Sequence, residues 1–466
     1  MTDSPLTTSL WSHQQAGLEY LRANPRALLG FDMGTGKTLT TIARIAELPR
    51  GSNVLIVCPL AVIPTWPAEF EKHVNRMAWP YQILPCLRGT GKKKADRVIE
   101  LFRTAPLHHS KIIVVNYETA RAAGMEKTLL GVDWDLVVFD ESHKVKSASG
   151  KSSKFCAKLR APMRLALTGT PMPHSPLDIF GQARAIGLGT FGKSYFLFRA
   201  RYAVFDPKPI YRAGKVVPGA KTVVGFKNLD RFKQRLATFM IQVKAEDVLD
   251  LPDKRDVEVP VELTAKERRA YNSMERSLIA EVQDGTIAAG NALGKLLKLA
   301  QMTGGYCLDE DGDTLHVGDS KRSALKEILD GLPPDEPVVV FARFRSDIRA
   351  VHEVCAELER ESCELSGVEN NLEQWKEGKG NVIVVQIQSG GAGIDLTRAC
   401  KAVYYSVSFS MGDYDQSRAR IHRPGQERKV TYFHLAAQGT IDQRIYAMLA
   451  KRRNLIDGIL EVFKSF

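Results

Sequence analysis

Apolar residues along this chain come in short unbroken runs, separated by stretches where apolar and polar positions alternate with helical spacing. In the first part the runs NVLIVC (53–58), KIIVVN (111–116), WDLVVFD (134–140) and MRLALTG (163–169) are of strand length. Continuous apolar runs of this kind suit strands covered on both sides. Amphipathic stretches lie between them, so the pattern predicts a parallel sheet with helices on both faces. It breaks near residue 187. Residues 188–235 are Gly-rich, basic and aromatic, and KVVPGAKTVV (215–224) predicts a small hairpin around Pro218-Gly219. LDLPDK (249–254) reads as a linker and 265–302 as helical. A second block repeats the first pattern with PVVVFA (337–342), NVIVVQ (381–386), KAVYYS (401–406) and VTYFHL (430–435), and 441–466 is one amphipathic helical stretch. The fold class is therefore α/β, with two parallel-sheet lobes in tandem, a basic insertion between them and a C-terminal helix. The division predicted is 1–187 for the first lobe, 188–245 for the insertion, 246–302 for a linker and helical region, 303–440 for the second lobe and 441–466 for the last helix.

The 466 residues leave room for two or three domains, and 44% hydrophobic with 25% charged residues describes an ordinary globular chain. No apolar run approaches the ~20 residues of a membrane span. The N-terminus MTDSPLTTSLW has no basic region followed by an apolar stretch, so no secretory signal is expected. Seven cysteines, an odd number with no CxxC pair, argue against a disulfide framework or a zinc site and for a reducing, cytosolic setting. The net charge of +12 is by itself a weak pointer to nucleic acid. Its distribution says more. Residues 193–235 hold eleven Lys/Arg against two acids, with eight aromatics interleaved. That segment either touches nucleic acid or buries its aromatics in a local core beneath solvated lysines.

Candidate chemistry begins at FDMGTGKT (31–38), which follows the apolar ALLGF and precedes a helical pattern. Strand, glycine loop and helix N-terminus form the context of a phosphate-binding loop. Gly34 and Gly36 let backbone amides of Met33 to Thr35 face phosphates, Lys37 supplies a cation, and Thr38 offers a hydroxyl to Mg²⁺. The strict pattern wants Gly where Phe31 stands, so the match is to a variant form. Asp140 falls at the carboxyl end of a buried run, where it could hold Mg²⁺ through water while Glu141 orients and deprotonates an attacking water. The alternative is a helix N-cap. Gln14 either reads an adenine through its amide or lies on a helix surface. Thr168, Gly169 and Thr170 either sense a terminal phosphate or form a turn. The glycines of QSGGAGIDLT (388–397) permit close approach to a phosphate of nucleotide or DNA. Finally, QSRARIHRPGQ (416–426) sets Arg420 and Arg423 three apart behind Gln416. On a helix that spacing puts both guanidinium forks on one face, either towards a polyanion or towards solvent.

These strings, in this order, resemble superfamily-two helicases of the Swi/Snf type, from about Leu10 to Asp442. LWSHQQAGLEYL is similar to the Gln motif and FDMGTGKT to motif I. VLIVCPLAVIPTWPAEF (54–70) resembles motif Ia, DESHKVKS motif II and LTGTPMPHSPLDIF motif III. FMIQVKAEDVLDLPDK (239–254) looks like the inter-lobe segment, VVVFARFRSDI motif IV, GGAGIDLT motif V and QSRARIHRPGQ motif VI. The chain departs from the family where Gln242 and Val243 replace two arginines, Ser142 an alanine and Ala419 an acid. The segment 191–235 is similar to an annealing-helicase-like subgroup.

The resemblance implies two RecA-like lobes hydrolysing ATP with Mg²⁺ in the cleft between them, stimulated by double-stranded or forked DNA. Lys37, Thr38, Asp140 and Glu141 would come from the first lobe. Gly393, Asp395, Arg420 and Arg423 would come from the second, with Arg423 as arginine finger. DNA would lie across both lobes near Pro59, Trp66, Asn116, Tyr117 and Arg343, and Lys215, Lys221 and Lys227 of the insertion are further expected contacts. An RNA helicase, or a DNA-binding scaffold with a vestigial nucleotide site, are the competing readings. A compact monomeric motor of bacterial, phage or nuclear setting, working with replication or repair proteins, is expected.

Overall fold

The structure, a computed structural model, describes residues 4–207, 211–212, 215–216, 222–283, 289–308, 313–387 and 394–460. For 211–212, 215–216, 278–283, 289–293, 308 and 457–460 it describes the backbone alone. The first lobe contributes β1 (Arg26–Phe31), β2 (Asn53–Cys58), β3 (Tyr81–Pro85), β4 (Ser110–Asn116), β5 (Leu136–Asp140) and β6 (Met163–Leu167). The insertion adds the short strands β7 (Ala203–Phe205), β8 (Tyr211–Arg212), β9 (Lys215–Val216) and β10 (Val223–Phe226). Then come β11 (Met240–Val243), β12 (Lys254–Val261), β13 (Tyr306–Leu308), β14 (Thr314–His316), β15 (Val338–Ala342), β16 (Ser362–Leu365), β17 (Val382–Gln386), β18 (Lys401–Tyr404) and β19 (Val430–Ala437).

Two sheets organise the molecule. The first has seven strands in the order β11-β1-β6-β5-β2-β4-β3, and the second has six in the order β12-β19-β18-β15-β17-β16. Every pairing within both is parallel. The runs read as interior strands are β2, β4, β5, β6, β15, β17, β18 and β19, and their middles are buried except at Phe433 of β19, which is half-buried. Four sheet strands had no such run: β3, β11, β12 and β16. They flank the interior strands or stand at the edges, where one side meets solvent and polar residues alternate with apolar ones. β12 is exposed along most of its length. β11 lies inside the stretch read as insertion and β12 inside the stretch read as linker, so the chain rejoins the first sheet before crossing to the second.

The hairpin expected over 215–224 does not pair as predicted. Lys215 bonds back to Arg212, and β10 pairs with β7, antiparallel in both cases. Pro218 and Gly219 lie outside the described residues. The insertion's aromatics build a local core: Phe191 stacks on Phe232 at 5.3 Å, with Phe198, Tyr202 and Phe239 around them. Phe196, by contrast, is exposed. This core belongs to one apolar cluster that continues into the second lobe. Helices α1 (Ser12–Ala23), α2 (Lys37–Ala46) and α3 (Thr65–His73) belong to the first lobe. Among the described residues no helix is long and apolar enough to cross a membrane.

Phe139 sits in the central strand β5, fully buried beside Asp140. Phe139→Ala should cost about 3–5 kcal/mol of stability, measured by denaturant unfolding; a cost below about 1 kcal/mol would contradict the close packing described.

Candidate functional site

Three neighbouring strands, β1, β6 and β5, run parallel and end at the same edge of the first sheet. Loops at the carboxyl ends of such strands converge, and here they are residues 32–36, 168–171 and Asp140-Glu141. Gly34 and Gly36 have φ of 82° and 89°, the left-handed region open to glycine. A Cβ on Gly36 would sit 2.1 Å from Gln14 Nε2, and one on Gly34 would sit 2.8 Å from Pro424 Cδ of the second lobe. Glycine is needed at one position for α1 and at the other for the opposite lobe. Lys37 opens α2 and its Nζ donates to the carbonyls of Phe31 (2.6 Å) and Asp32 (3.1 Å) of its own loop. Burial pulls this amine's pKa down, opposed by Glu141, Asp32 and Asp140. The Thr38 side chain is half-buried beside it, and Thr35 is buried. Gln14 is buried; its Oε1 accepts from Trp11 N (3.0 Å) and its Nε2 donates to Thr35 O (3.3 Å).

Asp140 and Glu141 are both buried. Asp140 Oδ2 accepts from the Trp66 indole at 3.1 Å and Oδ1 from Glu141 N at 2.9 Å, while its carbonyl accepts from Tyr117 OH at 2.7 Å. Burial and the adjoining Glu141 carboxylate push the Asp140 pKa up. Burial also acts upwards on Glu141, but His143, Lys37 and Arg420 outweigh it and hold Glu141 ionised. Glu141 has φ of 48°, so the chain turns sharply after β5 and no N-cap hydrogen bond forms from its side chain. His143 Nδ1 lies 3.2 Å from Glu141 Oε2 and 3.3 Å from Thr168 Oγ1. The approach to the carboxylate is not a well-formed hydrogen bond, and Oε2 keeps no donor. Thr168 Oγ1 accepts from Thr170 N at 3.1 Å, while the Thr170 hydroxyl is buried without a partner. Gly169 lies against Lys37, its Cβ position 3.6 Å from Nζ.

The second lobe faces this edge. The helix Met411–Arg418 carries Gln416 and stops at Arg418, so Arg420 and Arg423 follow on turns and share no helix face. The turn still aims both inwards. Arg420 is buried with Nε and Nη2 unpaired, and burial lowers its pKa to about 10 against the pull of Glu141. Arg423 Nη1 donates to Ile394 O at 3.1 Å, its Nε is buried without a partner, and its Cβ lies 3.8 Å from the Cβ position of Gly34. Asp395 accepts from Thr397 N and Oγ1 at 2.9 and 2.7 Å; burial raises its pKa but these bonds and Arg423 keep it below the usual range. Gly393 lies outside the described residues. A cleft of about 410 Å³ opens between the lobes, lined by Met33, Glu141, Thr170, Gln416 and Arg418 among others. It runs beside the glycine loop rather than over Lys37, and Pro424 lies against Gly34.

The expected DNA contacts divide. Trp66 and Tyr117 are buried and spend their polar atoms on Asp140, so neither reaches a surface. Asn116 is also buried, with Nδ2 on Glu118 at 2.9 Å. These three brace the acidic pair or the core. The sequence could not separate this role from surface contact, because an aromatic beside a strand end suits both. Pro59 is half-buried at the end of β2, and half-buried Arg343 spreads over Phe409 at 5.0 Å. Lys227 is exposed; Lys221 lies outside the described residues, and for Lys215 only the backbone is described. His143 and Asp32 escaped sequence reasoning, although the histidine three after Asp140 was a visible signal.

The converging groups fit a nucleoside triphosphate. Buried, unpaired Arg420 and Arg423 nitrogens face a glycine loop that already holds a cation, and a polyanion satisfies all of them. Mg²⁺ is compatible with Thr38 and Asp140, since this ion takes one or two protein ligands with substrate phosphates. Among the described residues no cluster of three or more acidic, His or Cys side chains could hold a metal alone.

Comparison with known proteins gives the family. The SNF2-related domain family matches residues 13–304 and the helicase conserved C-terminal domain matches 320–425. The chain is 26% identical over 476 residues to putative protein p41 of Acyrthosiphon pisum secondary endosymbiont phage 1, covering 97% of this chain and 98% of that protein. It is 24% identical to the human DNA excision repair protein ERCC-6 over 98% of this chain and 33% of that one. It is 24% identical to the bovine DNA annealing helicase and endonuclease ZRANB3 over 98% and 41%. The chain thus spans only a third to a half of these longer relatives. The Sulfolobus solfataricus SWI2/SNF2 ATPase core in complex with dsDNA is 23% identical, with a TM-score of 0.45 over 99% of this chain and 94% of that chain. The chain belongs to the SNF2-related family of helicase-like ATPases.

Proposed function

We propose that this chain is a motor that hydrolyses ATP between its two lobes, driven by double-stranded or forked DNA. The observation that supports it most is the convergence of unpaired buried groups, Glu141 Oε2, Arg420 Nε and Nη2 and Arg423 Nε, around one glycine loop. The triphosphate would lie on the amides of Gly34, Thr35 and Gly36 and the N-terminus of α2, with Lys37 leaving its own loop carbonyls for the β- and γ-phosphates. Mg²⁺, held through Thr38 and water on Asp140, would neutralise charge on the phosphates. Glu141, kept ionised, would orient the attacking water and accept its proton. Arg423 would act as the finger on the transferring group and Arg420 as its phosphate-binding neighbour. Gln416, Gly393 and Asp395 would complete the second lobe's side. Gln14 retains one N–H and a second lone pair for adenine. Thr168, Gly169 and Thr170 would transmit the state of the terminal phosphate through His143, which touches both Thr168 and Glu141.

DNA would be gripped through its phosphates, from Pro59, Arg343 and the basic insertion. The relatives' names place ERCC-6 in excision repair and ZRANB3 in DNA annealing. For this chain we infer repair or replication proteins as partners.

Turnover should be compared without nucleic acid and with single-stranded DNA, duplex, forked DNA and RNA, using Glu141→Gln as the blank. Duplex or forked DNA should stimulate most; equal turnover on all five would sink the DNA-motor reading. Arg423→Ala should keep ATP binding and lose turnover by on the order of a thousandfold; lost binding with normal turnover per bound ATP would contradict the finger role. Charge reversal at Lys215, Lys221 and Lys227 should lower DNA affinity and reduce the salt slope by ~0.9 per lost contact. An unchanged slope would leave those lysines solvated. Trp66→Phe removes the donor to Asp140 and should lower turnover while DNA affinity holds; the opposite result would return Trp66 to the DNA surface.

A further inference from the structure

The stretch joining the lobes runs from the last residue of β11, Val243, into the start of β12, where Asp256 stands, and it is hydrogen-bonded at both ends to parts of the site. At its start, Asp32 of the glycine loop donates its N–H to Val243 O at 2.9 Å and accepts Ala245 N on Oδ2 at 3.0 Å. At its end, His422 Nε2 meets Pro252 O at 2.7 Å, and Arg418 forms a two-pronged ion pair with Asp256, Nη2 to Oδ2 at 3.0 Å and Nη1 to Oδ1. Arg418 closes the helix Met411–Arg418, two residues before Arg420, and His422 immediately precedes Arg423. The turn bearing both arginines is therefore tied on either side of Arg420, by His422 to Pro252 of the connector and by Arg418 to Asp256 of β12, the strand into which the connector runs.

The Asp256–Arg418 pair is unusually well fixed. The guanidinium lies 4.1 Å from the Tyr432 ring centre and 5.5 Å from that of Tyr414. Tyr432 OH donates to Arg418 O at 2.9 Å, and His434 Nε2 meets Asp256 Oδ1 at 2.8 Å. A planar fork on a carboxylate between two rings defines position and orientation together. Burial acts to raise the Asp256 pKa, but His434 and Arg418 hold it well below the usual carboxylate range, so the pair stays charged.

We propose that the connector 243–256, anchored by Asp32 on the loop and by Asp256 on the turn, sets the reach of Arg423 towards the phosphates. Asp256 and Arg418 are positioning residues in this account. The inference rests on the nucleotide site described above. Neither residue needs to touch substrate; a shift of the finger by about 1 Å is enough to cost roughly a hundredfold in rate. The pair lines the same inter-lobe cleft as Glu141 and Gln416, so it lies where the lobes must move past each other.

The test is a double-mutant cycle of wild type, Asp256→Asn, Arg423→Ala and the double variant. ATP turnover is measured with saturating duplex, KM for ATP alongside it, and the thermal midpoint of each protein. Asp256→Asn should lose roughly tenfold to a hundredfold in kcat with KM within about twofold. The double variant should be no slower than Arg423→Ala, because the tie acts only through the finger. Asp256→Glu should recover most of the rate. A wild-type kcat for Asp256→Asn, or losses that multiply in the double variant, would overturn the proposal; multiplied losses are what a merely structural pair gives. If Asp256→Asn does not fold, Arg418→Lys, which keeps the charge and loses the fork, takes its place in the same cycle. Arg423→Ala turning over at the wild-type rate would instead sink the nucleotide site itself. Asp256→Asn at the wild-type rate beside an inactive Arg423→Ala sinks only the connector.

Discussion

A buried guanidinium cannot shed its charge, and Arg420 carries one into the seam between the two sheets with two nitrogens unpaired. Leaving such donors unpaired is costly, and Glu141 across the seam compensates it only in part. The other charged groups of the site stand around this guanidinium. Lys37 folds back onto its own loop, Glu141 is held ionised, and Arg423 borrows a carbonyl from Ile394. In the proposed function a triphosphate replaces each of these arrangements.

The sheets explain how groups from two ends of the chain come together. Because β1, β6 and β5 are neighbours, three loops far apart in sequence share one edge of the first lobe. The second sheet presents the turn after Arg418 to that edge, and Pro424 reaches Gly34. The continuous apolar cluster running from the first lobe through Phe191, Phe198 and Phe232 into the second gives the insertion a packing role beside any contact its lysines make. The connector adds the polar link: Ala245 at its start bonds to Asp32 of the glycine loop, and Asp256, where it has entered β12, bonds to Arg418 beside the arginine turn.

The interior strands were legible because they are apolar on both faces, and the phosphate loop because strand, glycines and helix follow in order. The edge strands β11 and β12 were not: β11 is only four residues long with Gln242 inside it, β12 mixes valines with charged residues, and only the neighbouring strand makes either part of a sheet. The spacing of Arg420 and Arg423 suggested one helix face, but the helix ends at Arg418 and both follow on a turn, with Pro424 and the left-handed Gly425 after them. The burial of Trp66 and Tyr117, expected as DNA contacts, was not legible because sequence does not say which way a side chain points. The fold turns both beneath Asp140. The tie between Arg418 and Asp256 joins residues too far apart for any local pattern to link them.

The central claim is that one nucleotide satisfies groups from both lobes. Its most direct test is a crystal structure of the chain with ADP, aluminium fluoride and Mg²⁺. The account predicts Arg420 and Arg423 within hydrogen-bond distance of the fluoride, and Lys37 Nζ moved from the Phe31 and Asp32 carbonyls to the phosphates. A complex in which the nucleotide touches the first lobe alone, with Arg423 still on Ile394 O and Arg420 still unpaired, would contradict it.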